Sequence, residues 1–181
     1  RDAKVRKRAA FDGESALESL TPNASLPDGA DVTGATLCLW LKRDAPLHTL
    51  YPTAAGIGDA LALRRYAFYQ DESAVVNGFN VRGSAFMSTN AQPGLSWCHF
   101  CVSAAQASFA MLYMNGSLVG KSASTQTWTS LQSSALFAIG GTAESAVVAG
   151  GHARSFKGVI DEVKLFGRQL SSAEIAAVAG V

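Results

Sequence analysis

Residues 156–175 read FKGVIDEVKLFGRQLSSAEI, and this stretch decides the fold. Its first half alternates as a strand does. Over 157–166, Val159, Val163 and Leu165 share one face, while Glu162 and Lys164 take the opposite, wetter one. Asp161 falls on the apolar parity, where a bare carboxylate is too costly. It is therefore expected to be hydrogen-bonded, paired or bound to a metal ion. In the second half the period changes. Ser171 and Glu174 stand at the spacing of a capping box and Leu170 and Ile175 at that of a hydrophobic staple, with Gly180 placed to end the helix so begun. One long strand running into one short C-terminal helix is expected.

Outward from this stretch, period-2 segments dominate. They cover 35–43 (ATLCLWLKR), 60–69 (ALALRRYAFY), 96–103 (SWCHFCVS), 107–114 (ASFAMLYM) and 135–139 (ALFAI). Asn115-Gly116 lies between two apolar runs and suits the pair of positive φ angles that a two-residue hairpin demands. Many strands, polar loops and a single helix predict an all-β fold, a two-sheet antiparallel sandwich rather than an α/β enzyme. No repeat or linker divides the chain, so residues 1–10 are read as a basic lead-in and 11–181 as one domain.

The composition fits a folded domain: of 181 residues, 48% are apolar and 16% charged, with a net charge of +1. The first eight residues, RDAKVRKR, hold five of the fifteen basic side chains, a short solvated run with no aromatic residue among them. The near-neutral remainder excludes a nucleic-acid domain, which needs a concentrated basic face. No apolar run approaches the roughly 18 residues that span a bilayer, so membrane insertion is not expected. The chain starts at Arg1 without an initiator Met or a signal-peptide pattern, as a processed chain or an excised module would.

Catalytic signatures are missing. There is no G-x-S-x-G elbow and no Walker loop, and Gly56-Ile57-Gly58 lacks the third glycine of a dinucleotide fingerprint. His48, His99 and His152 are scattered, and His99 is expected to be a strand residue with a satisfied ring. Cys98-His99-Phe100-Cys101 together with Cys38 suggests zinc, but Cys98 and Cys101 point to opposite faces of a strand and cannot meet on one ion. Parity also sorts the three cysteines. Cys38 shares its face with Thr36, Trp40 and Lys42, and Cys101 shares its face with Trp97, His99 and Ser103. Cys98 lies with Phe100 and Val102. Cys38 and Cys101 can therefore meet across one sheet face, closing a loop of about sixty residues, while Cys98 points into the core as a buried thiol. Two N-x-[ST] sequons, at Asn23 and Asn115, fall in expected turns that a glycosyltransferase could reach. Trp128, in the polar loop STQTWTS, and Tyr66 are candidates for stacking on a sugar ring; the alternative is a loop anchor for Trp128 and core filling for Tyr66.

Together these segments resemble a laminin G-like or pentraxin-like domain of the concanavalin A-like jelly-roll group. FDG at 11–13 resembles its first core strand and GATLCLWLK its second. SWCHFCVSA with FAMLYMNGSLVG resembles its central hairpin, LFAIGG its "l-x-i-G-g" strand, and FKGVIDEVKLFGRQLSSAEI its closing signature. The resemblance implies a secreted or cell-surface module that binds glycans or proteins, often with calcium. Of the pentraxin-type calcium cluster only Asp59 and Glu144 carry over. A second, structural calcium position would use Asp12, the carbonyl of Gly13, and Asp161, oxygen donors that suit a hard cation. In pentraxins a single bridge joins the cysteines that match Cys38 and Cys101. Related glycoside hydrolases carry E-x-D-x-E-like carboxylates on one strand, and no such strand occurs here, so catalysis is not expected. The expected function is a non-catalytic, extracellular, lectin-like module that recognises glycan or protein at its loop rim. The alternatives are a structural or adhesive module contacting neighbouring domains of a larger surface glycoprotein, and an accessory domain of a carbohydrate-active enzyme.

Overall fold

A computed structural model describes residues 9–12, 17–18, 34–43, 53–59, 64–70, 77–81, 85–89, 96–105, 107–125, 136–140, 147–148, 151–152 and 156–181. The strands are β1 (Ala9–Asp12), β2 (Leu17–Glu18), β3 (Gly34–Arg43), β4 (Thr53–Asp59), β5 (Arg64–Gln70), β6 (Asn77–Val81) and β7 (Ala85–Thr89). They continue with β8 (Cys98–Ala105), β9 (Phe109–Met114), β10 (Ser117–Thr125), β11 (Leu136–Ile139), β12 (Val147–Val148), β13 (Gly151–His152) and β14 (Lys157–Phe166), and the chain closes with α1 (Ser172–Ala179). Two open six-stranded antiparallel sheets form the sandwich, ordered β1-β14-β3-β8-β9-β10 and β2-β11-β4-β5-β6-β7. The strand expected over 60–69 lies at Arg64–Gln70, and β4 precedes it as a separate strand. Glycines at 56 and 58 had hidden β4, because they interrupt the apolar alternation by which a strand is read.

At its centre, along β3 and β8, the first sheet is buried on both faces. On one, Leu37, Leu39 and Leu41 of β3 stand opposite Val102, Phe100 and Cys98 of β8, and all six are buried. This is the interior face of the sandwich, and Cys98 lies on it as parity required. On the other, Thr36, Cys38 and Trp40 stand opposite Ser103, Cys101 and His99. The register alone brings Cys38 and Cys101 together, and they are joined by a disulfide with their Cα atoms 4.1 Å apart.

Strand β14 departs from simple alternation. Asp161 pairs with Trp40 and Lys164 with Cys38, so three steps on β14 match two on β3. The extra residue is a β-bulge, and Glu162 sits in it with φ of 49°. The bulge flips the parity that the sequence implied. Leu165 faces the interior opposite Leu37, and so does Ile160 opposite Leu41. Asp161 and Val159 stand instead on the helix side, opposite Trp40 and Lys42. Asp161 is nonetheless buried, and its Oδ1 accepts the Glu162 N–H at 2.8 Å, so the carboxylate holds the bulge that displaced it.

Helix α1 covers the disulfide. Leu170 and Ile175, the two staple residues, form one buried cluster with Cys38, Cys101 and Tyr113. The segment leading into the helix is fastened by a buried hydroxyl pair. Thr36 Oγ1 and Ser103 Oγ are 2.8 Å apart, each accepts from Leu170 N–H at 3.0 Å, and Thr36 Oγ1 donates to the Arg168 carbonyl at 2.9 Å. At the N-terminus Ser171 Oγ accepts from Glu174 N–H, and the Glu174 carboxylate accepts from Ser171 N–H at 2.9 Å, the reciprocal pair that the spacing implied. Arg168 bridges the same carboxylate at 2.5 and 3.1 Å, and with the Ser171 bonds this holds Glu174 down at about 2. Gly180 ends the helix in the left-handed region at φ of 77°. Ser171→Ala removes one half of the box and is expected to cost about 1 kcal/mol, read as a shift of the urea midpoint at unchanged slope.

Candidate functional site

The helix side of the first sheet is where titratable and sulfur-bearing side chains gather. Across it run three short rows set by the register: Thr36 with Ser103, Cys38 with Cys101, and Trp40 with His99. Tyr113 of β9 extends the second row opposite Cys101, and its hydroxyl lies 3.1 Å from Ser172 Oγ at the start of the helix. The ring of His99 tilts against Trp40 with centroids 5.2 Å apart. His99 is 1% exposed, and its Nε2 lies 4.0 Å from Cys101 Sγ. Among the described residues its buried Nδ1 has no hydrogen-bond partner, contrary to the satisfied ring expected from the sequence. Burial, and then the positive charge of Lys164, hold this imidazole down at about 4, with Glu162 opposing. His99 is thus neutral near pH 7.

The hairpin turn completes this edge. Asn115 and Gly116 both have positive φ, 48° and 78°, as a type I′ turn requires. Asn115 Oδ1 accepts the His99 N–H at 2.9 Å, so the turn residue also secures the start of β8. Asn115 is exposed.

The remaining sequence candidates are more dispersed. The register sets Asp12 opposite Lys157, four positions along β14 from Asp161. At about 3.3 Å per residue that is some 13 Å, so the two do not stand opposite each other. Asp59 ends β4 opposite Arg64, and Tyr66 lies on β5 between Ile57 and Val81. Both belong to the second sheet, away from the helix. Gly13, Asn23, Trp128 and Glu144 lie outside the described residues. What the sequence did not single out is the convergence of Cys38, Cys101 and His99, whose ligand atoms all lie within 4.8 Å of one another. Parity carried the signal, since it placed His99 on the face of Cys101.

An open two-sheet antiparallel sandwich with one C-terminal helix is the concanavalin A-like jelly roll. Residues 12–176 match the family model described as the concanavalin A-like lectin/glucanases superfamily, and the chain belongs to that family. A search of curated proteins found no match. Among solved structures, a heptameric SAP-like pentraxin from Limulus polyphemus superposes with a TM-score of 0.74 at 17% identity, covering 98% of this chain and 84% of that one. The CBM40 module of a Ruminococcus gnavus IT-sialidase, bound to α2,3-sialyllactose, gives 0.65 at 18% identity over 96% of this chain and 98% of the module. Domain 4 of AbnA, a GH43 extracellular arabinanase from Geobacillus stearothermophilus, in complex with arabinotriose, gives 0.65 at 18% identity over 99% and 79%. These likenesses establish the fold.

Proposed function

We propose that this chain is a non-catalytic, extracellular module that recognises glycans through the loops at the rim of its sandwich. The observation that carries the reading is the family match over residues 12–176, joined to a fold shared with two carbohydrate-bound modules. The disulfide accords with an oxidising, extracellular setting. Among the described residues no helix is long and apolar enough to cross a membrane. A second reading, an accessory domain of a carbohydrate-active enzyme, is favoured by the same two neighbours, which are a sialidase module and an arabinanase domain. Co-sedimentation with a panel of insoluble polysaccharides tests the reading. The native chain is expected in at least one pellet and to stay in the supernatant when no polysaccharide is added. No reducing ends are expected in any supernatant, since the motifs assemble neither paired carboxylates nor an activated nucleophile. Sugar released by the native chain alone would overturn the non-catalytic part.

Calcium assistance belongs to the same proposal; Asp161 is tested as a ligand without Asp12, since the register sets the two some 13 Å apart along the strand. Calcium added after chelation is expected to raise the melting temperature, because an ion that binds only the folded state stabilises it by mass action. Asp161→Asn is expected to remove that gain. A wild-type melting curve that ignores calcium would contradict it.

A further inference from the structure

The zinc set suggested by the sequence fails at Cys98, which points to the interior, yet its other three members do converge. Cys38 and Cys101 are cross-strand partners, and His99 lies two residues from Cys101 on the same face. All three side chains are buried, at 0%, 0% and 1% exposure. Their two sulfurs and one ring nitrogen lie within 4.8 Å of one another. Ligands held at about 2.3 Å (sulfur) and 2.0 Å (nitrogen) around a tetrahedral ion stand roughly 3.5–4 Å apart. The observed 4.0 Å from His99 Nε2 to Cys101 Sγ already satisfies that spacing. Among the described residues the other ring nitrogen, Nδ1, has no hydrogen-bond partner, and Nε2 is the nitrogen that meets the sulfur.

We propose that reduction of the Cys38–Cys101 bridge turns this cluster into a site for a thiophilic d¹⁰ ion, Zn²⁺ or Cu(I), held by the two thiolates and His99 Nε2. Thiolate and imidazole are the donors such ions select. The redox step balances with a dithiol as reductant: its two electrons and two protons pass to the bridge sulfurs, and the reductant leaves as its own disulfide. On binding, the two new thiols release their protons to water, while neutral His99 supplies a lone pair without losing one. The chain would then have two staples at one place, a covalent one when oxidised and a metal one when reduced.

The test uses the full chain, reduced, freed of reductant and kept anaerobic. Zn²⁺ and Cu(I) are titrated separately in competition with chromophoric chelators, and far-UV circular dichroism follows the fold. One ion per reduced chain and none per oxidised chain is expected, and the tighter of the two arms identifies the ion. His99→Gln is expected to weaken binding at least tenfold, and Cys98→Ser to leave it unchanged. Should reduction unfold the chain, the ion is expected to restore the native spectrum. Equal binding by the oxidised chain, loss of binding in Cys98→Ser, indifference to His99→Gln, or a reduced chain that takes up neither ion or stays unfolded with it would each overturn the proposal.

Discussion

Replacing Cys38 and Cys101 together by alanine is expected to lower the unfolding free energy by roughly 4 kcal/mol, while Cys98→Ala, which trims one small side chain, costs far less. The bridge spans a sequence separation of 63 residues, and the loop-closure entropy withheld from the unfolded chain gives that figure. The strand register already brings the two residues face to face. The bridge also floors the cluster on which Leu170 and Ile175 seat the helix, so its loss loosens the C-terminal end as well. Urea unfolding of the two variants and the wild type, with and without reductant, checks this. A double variant within 1 kcal/mol of wild type would show that the bridge only decorates a fold held by other contacts.

The second large effect is a loss of stability in mild acid, with His99 as its source. Its folded pKa is depressed to about 4 from the ordinary 6.5, chiefly by burial and then by Lys164, against the opposing pull of Glu162. The unfolded chain therefore takes up the proton first. Stability from this group is fully present above pH 6.5, falls as the pH drops from 6.5 towards 4, and is gone below the folded value. The shift corresponds to about 3 kcal/mol across that window. The groups facing the ring from its own and adjoining strands are Trp40, Cys101, Lys164, Glu162 and, beyond Trp40, Asp161. Urea midpoints measured between pH 7.5 and 4 are expected to fall steeply in the wild type and to fall less in His99→Gln. Parallel slopes for the two would place the acid sensitivity elsewhere.

Much of the frame was legible in the residues because each feature had a local cause. The hairpin followed from Asn115-Gly116 and the helix start from Ser171 and Glu174, and both stand where the spacing set them. The pairing of Cys38 with Cys101 followed from strand parity. Asp161 shows where such reading stops. Its burial was foreseen, but its face was not, because one bulge residue, Glu162, reverses every parity beyond it and no alternation pattern announces a bulge. Thr36 and Ser103 show a second limit. They read as a polar outer face, yet they are buried hydroxyls that fasten Leu170, since only tertiary docking reveals that a helix will cover them. His99 was read as a satisfied strand residue for the same reason. Its neighbours come from three strands, and none is close in sequence except Cys101.

As proposed above, the sandwich recognises glycans without altering them. A glycan array probed with the purified chain, once with calcium and once with chelator, tests it most directly. Saturable binding to a defined group of glycans, strengthened by calcium, is the predicted result. Silence across the whole array under both conditions would contradict it.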